Sequence, residues 1–277
     1  MKKLNVLLIL TVFSFLLISS CKNDETEVVD NKAQELKSVK EVVDIQKQFS
    51  KTFNITKTFF DKIKKDGPGF GFRDDCPEVT FDSSGLGNFS LILDFGDDCV
   101  LEDSIEVSGK ITITLYGHKM RKPDSIVTVF DNFSVSGDAM SGTFVVIDKG
   151  KDNEGRAQVL YVLRDGHFTK DDGETMTMNF ERLHTIDNNG TLADFEDDIL
   201  YVTGHSSGVT FSGVDFETEI TTELVLPFSC GCYVSGVQSI SVNGSDVYTL
   251  DFGDGTCDKI AILTSPDGST EEITICD

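Results

Sequence analysis

Residues 110–115 read KITITL, and every second side chain of this stretch is apolar. Successive side chains of a β-strand point to opposite faces of the sheet, so the alternation puts the apolar residues on one face and the threonines on the other. A sheet with one buried and one hydrated face is typical of antiparallel pairing. The stretch therefore predicts an antiparallel strand that covers a hydrophobic core.

Similar runs follow Cys76 along the rest of the chain, at residues 126–130, 143–147, 159–163, 176–180, 199–202, 209–211, 218–226, 246–252, 259–264 and 271–276. Turn-forming pairs separate many of them, at Asp165-Gly166, Asp172-Gly173, Asn189-Gly190, Asn243-Gly244 and Asp267-Gly268. Short links join antiparallel neighbours, whereas parallel strands need long crossovers. We therefore expect residues 67–277 to form a mainly β domain, an antiparallel meander arranged as a sandwich or a half-open barrel.

This β-domain contains an internal repeat at residues 76–99 and 232–257. Each copy begins and ends with a cysteine and carries Asp-Phe-Gly-Asp shortly before the second one. Each copy reads as strand, turn and strand, which predicts two equivalent hairpins whose terminal cysteines face each other. Gly96 and Gly253 are expected to adopt unusual backbone dihedrals where a strand ends.

Residues 34–66 have helical periodicity instead. Lysines occupy one side, and the apolar residues of the other side are Val42, Ile45, Phe49, Phe53, Phe60 and Ile63. Gly67-Pro68-Gly69 ends the pattern, because these residues stop helices. The pattern predicts an amphipathic helix that packs on the β-domain, with a partner helix as the alternative.

The first 20 residues have the features of a secretory signal. Lys2 and Lys3 precede an apolar segment at residues 4–18. This segment is shorter than a spanning helix of about 20 apolar residues. The following Ile18-Ser19-Ser20-Cys21 resembles a bacterial lipobox. The resemblance implies removal of residues 1–20 and attachment of fatty acyl chains, such as palmitate, to Cys21.

Residues 21–33 are expected to form a flexible tether between the anchor and the helix. Residue 22 is Lys rather than Asp, and residues 22–27 resemble the acidic export signal of surface lipoproteins of the Bacteroidota. This resemblance implies an outer-membrane lipid anchor that faces the cell surface, with the periplasmic face as the alternative.

The charge of the chain limits its partners. The formal net charge is −23, and residues 67–277 hold 12 basic and 38 acidic residues. An acidic domain repels phosphate backbones, so nucleic-acid binding is disfavoured. Contact with the membrane is expected through the lipid anchor, and a glycan or a protein at the cell surface is the expected partner.

The cysteines other than Cys21 are Cys76, Cys99, Cys230, Cys232, Cys257 and Cys276. An even count in an exported chain predicts disulfides, and Cys76–Cys99 is the first pair. The repeat favours Cys232–Cys257, which leaves Cys230 for Cys276. A hairpin that turns at Asn243-Gly244 would instead place Cys230 opposite Cys257. A zinc site is disfavoured, because the spacing does not match zinc knuckles.

The helical N-terminus, the Cys-to-DFG-x-x-Cys hairpin and the DFGDGTCD stretch at residues 251–258 resemble a family of secreted lipoproteins of the Bacteroidota. The resemblance covers most of the mature chain and implies an envelope address and a β-rich fold. The family has no established activity, so the resemblance implies no catalytic residue.

Residues 204–208, GHSSG, match the G-x-S-x-G nucleophile pattern. That pattern needs a helix after the serine and a histidine further along the chain. Here residues 209–211 predict another strand, and His205 is the last histidine. We therefore expect a tight turn at residues 204–208 and no enzymatic activity.

Residues 185–196 partly fit a calcium-binding loop. Asp187, Asn189 and Glu196 occupy positions 3, 5 and 12 of the loop, while Thr185 replaces the usual leading acid. Calcium is the one cofactor that the sequence suggests, although turn formation also accounts for these residues.

The sequence thus predicts a lipid-anchored cell-envelope protein whose β-domain is a non-catalytic binding or structural module. Two alternatives stay open. One is a carrier of a lipophilic ligand in a half-open β-barrel, and the other is a carbohydrate-active surface protein.

Overall fold

The computed structural model describes residues 32–46, 49, 76–82, 88–101, 104–117, 124–191, 196–244 and 247–276. The predicted signal peptide, Cys21 and the predicted helical residues 50–66 lie outside the described residues. One helix, α1, covers residues 32–46. Residues 32 and 33, which were predicted to belong to the tether of residues 21–33, are helical, and residues 21–31 lie outside the described residues.

The β-domain follows α1 as a succession of long strands. They are β1 (Glu78–Asp82), β2 (Phe89–Val100), β3 (Glu106–Tyr116), β4 (Ser125–Val135), β5 (Asp138–Lys151), β6 (Ala157–Thr169), β7 (Thr175–Asp187), β8 (Ile199–Val209), β9 (Asp215–Pro227), β10 (Ser235–Val242), β11 (Val247–Asp254), β12 (Ile260–Thr264) and β13 (Thr270–Thr274).

All 13 strands form one sheet in which each strand pairs with the next along the chain. The pairs are antiparallel. β1 and β13 are the two edges, so the described strands form an open sheet. The predicted fold, a mainly β antiparallel meander with an N-terminal helix, is confirmed.

The alternation in residues 110–115 sets the two faces of β3. Ile111, Ile113 and Leu115 are buried, and Lys110, Thr112 and Thr114 are only partly buried on the opposite face. The buried residues of β3 belong to one cluster with Val39, Val42 and Ile45 of α1. We call the face that carries this cluster the concave face and the opposite one the convex face.

Two contacts of neighbouring helical residues show that the sheet curves around α1. Lys40 Nζ lies 2.7 Å from a carboxylate oxygen of Glu271 in β13. Glu41 accepts a hydrogen bond of 2.8 Å from the Ser212 hydroxyl, in the turn between β8 and β9. In a flat sheet β9 and β13 would lie about 19 Å apart, since adjacent strands are spaced by about 4.8 Å. A helix is only about 10–12 Å wide, so the sheet must bend to reach both sides of α1.

The apolar side of α1 fills the concave face. Val39 and Val42 are 0% exposed and Ile45 is 1% exposed. The Phe49 ring lies 5.3 Å from Phe144 and 5.1 Å from Phe180, in edge-on arrangements. Burial of each such side chain stabilises the fold by roughly 1.5–3 kcal/mol. The part of the predicted apolar side that the structure describes, Val42 to Phe49, therefore packs as expected.

Three disulfides join the six predicted cysteines, and Cys76–Cys99 is confirmed. The pairing that the repeat favoured is wrong, and the alternative pairing is confirmed, because Cys230 bonds to Cys257 and Cys232 bonds to Cys276. The ladder of β10 begins only at Ser235, and residues 228–231 form a turn, so hairpin symmetry does not govern these cysteines. Cys232 points into the core at 1% exposure, whereas Cys257 is exposed.

The two copies of the repeat share a local backbone motif. Asp94 Oδ1 accepts a hydrogen bond from Gly96 N at 3.1 Å, and Asp251 Oδ1 accepts one from Gly253 N at 2.9 Å. Both glycines have positive φ, 63° and 99°. The predicted unusual dihedrals are confirmed, but Gly96 lies at a bulge inside β2 rather than at the end of the strand.

Asp165-Gly166 does not form the predicted turn. The pair lies inside β6, where the register with β7 shifts between Leu163 and Gly166 and Asp165 has a φ of 51°. The backbone N–H of Asp165 donates to the Asn179 side chain at 2.8 Å. The pair therefore forms a β-bulge, which uses the same left-handed dihedrals as a turn.

Candidate functional site

Four polar side chains interrupt the concave face beyond Phe180. Tyr161 of β6 is directly opposite Arg182 of β7, and residues that face each other in an antiparallel pair share one face. Arg182 is two residues from the buried Phe180, so both point to the concave side. His184 follows on the same face, and Tyr233 lies just before β10. We call Tyr161, Arg182, His184 and Tyr233 the Arg182 cluster.

Aromatic contacts hold the side chains of this cluster. Arg182 Cζ lies 5.5 Å from the centre of the Phe180 ring, within the range of a cation–π contact. The ring centres of Tyr161 and His184 are 4.2 Å apart. Tyr233 packs edge-on against Phe252 at 5.4 Å. The positive charge is therefore held in a mostly apolar setting.

The charge of Arg182 is not neutralised by the described part of the chain. No described carboxylate forms an ion pair with it, and its enclosed Nε has no hydrogen-bond partner. Burial lowers the pKa of Arg182, and the nearby Tyr233 raises it in part. An arginine nevertheless stays protonated in proteins. The cluster therefore contains a partly buried, uncompensated cation.

The other members of the cluster are neutral near pH 7. Burial and then the positive charge of Arg182 lower the pKa of His184 from 6.5 to about 3. Burial raises the pKa of both Tyr161 and Tyr233. A neutral imidazole and neutral phenols can donate hydrogen bonds, but they contribute no charge.

The cross-strand neighbour of Arg182 on β8 is a glycine, Gly204. It lies directly opposite Arg182 in β8 and has a φ of 136°. A Cβ atom at this position would lie 2.1 Å from the backbone oxygen of Glu181. The glycine therefore allows the close approach of β7 and β8.

Residues 204–208 form neither the predicted turn nor a nucleophile site. They are part of β8, and the turn comes later, at Thr210–Val214. Ser206 is buried, and its Oγ is hydrogen-bonded to Thr218 Oγ1 at 2.7 Å. The predicted strand at residues 209–211 is wrong beyond Val209. The glycines act as contact points, since a Cβ on Gly208 would lie 1.9 Å from the Thr177 oxygen.

The convex face carries a second polar feature, a shallow groove of about 350 Å³. His205 lies there, opposite Glu181 on β7 and Glu219 on β9. Serine and threonine side chains line most of the rest of the groove, together with Glu217 and Val247. No sequence pattern predicted the groove, because its residues come from β8, β9, β10 and β11.

The residues of the predicted calcium loop lie in the connection from β7 to β8. Asp187 Oδ1 accepts a hydrogen bond from Asn189 N at 2.9 Å, and the Asn189 side chain donates to the Asp197 carbonyl. Glu196 lies in the same connection. Within the described ranges no group of three His, Cys, Asp or Glu side chains could hold a metal. Calcium binding by Asp187, Asn189 and Glu196 stays a prediction.

The described helical residues do not form a segment that is both long and apolar enough to cross a bilayer. Comparison with protein-family models, with curated proteins and with solved structures finds no match to this chain.

Proposed function

We propose that this chain is a lipid-anchored protein of the bacterial envelope whose β-domain binds a ligand without catalysing a reaction. The three disulfides carry the envelope assignment. Disulfides of this structural kind form and persist in oxidising compartments outside the cytosol. Residues 1–20 resemble a secretory signal and would direct export of the chain. Cys21 lies in a lipobox-like sequence and would carry the lipid anchor.

The anchor would be the acylated Cys21 in the outer membrane, with the domain facing the cell surface. Acyl chains supply about 0.8 kcal/mol for each buried methylene group, so two chains hold a protein stably. The β-domain itself is strongly acidic and repels anionic head groups. Membrane attachment would therefore depend on the lipid alone.

The Arg182 cluster favours binding over catalysis. A general acid or base works best when its pKa lies near the operating pH. The pKa of His184 is about 3, so this side chain is a weak base and stays unprotonated near pH 7. A fixed cation among neutral rings can hold an anionic group but transfers no proton.

The anchoring step can be tested in the bacterium that makes the protein. Cells that express the full chain or Cys21→Ala would be fed an alkyne analogue of palmitate and then fractionated. We expect the full chain to be labelled and membrane-bound, and Cys21→Ala to be unlabelled and released from the membrane fraction. Lys22→Ala is the matched control and should keep the label.

Digestion of intact cells by added protease tests which membrane face the domain occupies. Cleavage of the β-domain in intact cells supports surface display, and protection until the outer membrane is opened indicates the periplasmic face. An unlabelled full chain, or a Cys21→Ala chain that stays with the membrane, would contradict lipid anchoring.

A further inference from the structure

We propose that the Arg182 cluster binds an organic anion whose single charge sits on an apolar body, such as a fatty carboxylate. The inference deepens the proposed binding function and rests on it. It names the class of ligand and the side chain that would hold the charged end.

The charge of Arg182 is uncompensated in the described part of the chain. Burial of an ion is costly unless a counter-charge or hydrogen bonds offset the lost hydration. Residues 67–277 contain 38 acidic residues, yet no described carboxylate forms an ion pair with Arg182. The Nε of Arg182 is enclosed and has no hydrogen-bond partner in the described chain. An arginine kept in this state within an acidic domain fits a ligand that brings the missing negative charge.

The shape of the guanidinium favours a carboxylate. A guanidinium presents a planar fork of N–H groups that matches a carboxylate through two parallel hydrogen bonds. The neutral His184 and Tyr233 add possible N–H and O–H donors nearby, without adding charge. One cation with neutral donors suits a singly charged head group better than a doubly charged phosphate.

The rings around the cluster favour a ligand with an apolar body. Phe180 lies against the guanidinium, Tyr161 packs against His184, and Tyr233 packs against Phe252. A small hydrated anion would lose its water among these rings and gain few hydrogen bonds in return. Tyr161, His184 and Tyr233 are only partly buried, so a hydrocarbon chain can contact their rings and gain free energy.

The test uses the full mature, lipidated chain in phosphatidylcholine nanodiscs, with empty nanodiscs subtracted. Isothermal titration calorimetry would measure binding of octanoate, of octanol and of inorganic phosphate. Arg182→Gln removes the charge from the cluster. Arg164→Gln is the matched control, because Arg164 is an exposed arginine of β6 whose guanidinium lies 3.7 Å from Glu181.

We expect octanoate to bind the unchanged chain and Arg164→Gln equally, and to bind Arg182→Gln at least about tenfold more weakly, as the loss of a charged hydrogen bond predicts. Octanol should bind all three proteins alike, and phosphate should bind more weakly than octanoate. Thermal melting without ligand checks the fold of Arg182→Gln, which should melt no lower than the unchanged chain. If it melts lower, Arg182→Lys replaces it and should also weaken octanoate binding, because lysine lacks the planar fork.

Equal octanoate affinity with and without the guanidinium, phosphate binding as tight as octanoate binding, or no octanoate binding would each overturn the proposal. Cys21 labelling separates this failure from failure of the envelope assignment. If the chain is labelled at Cys21 but does not bind octanoate, only the proposed anion site is wrong. If the chain is not labelled but its octanoate binding depends on Arg182, the anion site stands and the proposed lipid anchor is wrong.

Discussion

At the residue scale, single glycines set the spacing of β7 and β8. Gly204 and Gly208 both lie where a Cβ would meet the backbone of β7, at 2.1 Å and 1.9 Å. The G-x-S-x-G pattern is therefore explained by close strand contact rather than by a reactive serine.

Gly204→Ala should destabilise the protein by about 3 kcal/mol, because it adds both a steric overlap and a strained φ. Gly213→Ala is the matched control. Its φ of 76° is also left-handed, but no atom lies within 4 Å of the added Cβ. This control should cost only about 1 kcal/mol. Urea denaturation of both variants measures the difference, and equal losses would show that contact with β7 is unimportant.

His184 should make the protein sensitive to mild acid. Its pKa is about 3 in the folded chain and 6.5 in the unfolded chain. Below pH 6.5 the unfolded state therefore binds a proton that the folded state does not, and stability falls as the pH drops towards 3. Between pH 7 and pH 5 the loss from this one group is about 2 kcal/mol.

The comparison of His184→Gln with the unchanged chain at pH 7 and pH 5 isolates this loss. His184→Gln should lose about 2 kcal/mol less over that range, as measured by urea denaturation. His167→Gln, which alters an exposed histidine of β6, should leave the pH dependence as it is. Identical pH profiles for His184→Gln and the unchanged chain would contradict the burial of His184.

At the element scale, α1 is held to the sheet by apolar packing on one side and polar contacts at its edges. Its periodicity predicted the packed side, because apolar spacing reports directly on the buried face of a helix. The polar contacts were not predictable. Nothing in the sequence distinguishes Glu41 from a solvent-exposed acidic residue, because its hydrogen-bond partner Ser212 is 171 residues away.

Glu41→Ala should destabilise the protein by about 2 kcal/mol, because the buried carboxylate accepts hydrogen bonds from Ser212 N and Oγ, at 3.0 Å and 2.8 Å. Lys40→Ala is the control on the same helix and should cost less than about 1 kcal/mol, since its ion pair with Glu271 is exposed. Free energies of unfolding from urea titrations test this. Equal losses for the two variants would mean that Glu41 does not fasten α1 to the turn between β8 and β9.

At the scale of the whole molecule, the alternation of apolar and polar residues and the turn-forming pairs predicted most of the antiparallel meander. Alternation predicts strands well when one face is buried, as in β3. It failed at Asp165-Gly166 and at residues 204–208, because bulges and close strand contacts use the same residues as turns. The Arg182 cluster could not be predicted from the sequence for another reason. No local sequence pattern identifies a charged side chain that lacks an ion-pair partner in the folded chain.

The disulfide pairing failed for a related cause. Cys230 and Cys232 precede β10, outside the ladder whose symmetry the repeat assumes. The observed Cys232–Cys276 bond fastens the end of β13, an edge strand that pairs only with β12 in the described sheet. The Cys230–Cys257 bond instead joins the turn after β9 to the connection between β11 and β12.

Removal of Cys232–Cys276 should therefore loosen β13 selectively. Its loop spans 44 residues against 27 for Cys230–Cys257. In the chain-entropy model both bonds contribute about 4 kcal/mol, so global stability distinguishes them poorly. Amide hydrogen exchange distinguishes them, because it reports on each strand separately. The backbone amides of β13 should lose protection in Cys232→Ala/Cys276→Ala and keep it in Cys230→Ala/Cys257→Ala. The reverse pattern would contradict the role assigned to Cys232–Cys276.

The central claim is that the chain is exported, acylated and oxidised. The most direct test is the intact mass of the protein purified from its own membranes, before and after alkylation of free thiols. We predict a chain that begins at an acylated Cys21 and takes up no alkylating agent, because its other cysteines form disulfides. A chain that still begins at Met1, or one whose cysteines are all alkylated without reduction, would contradict the account.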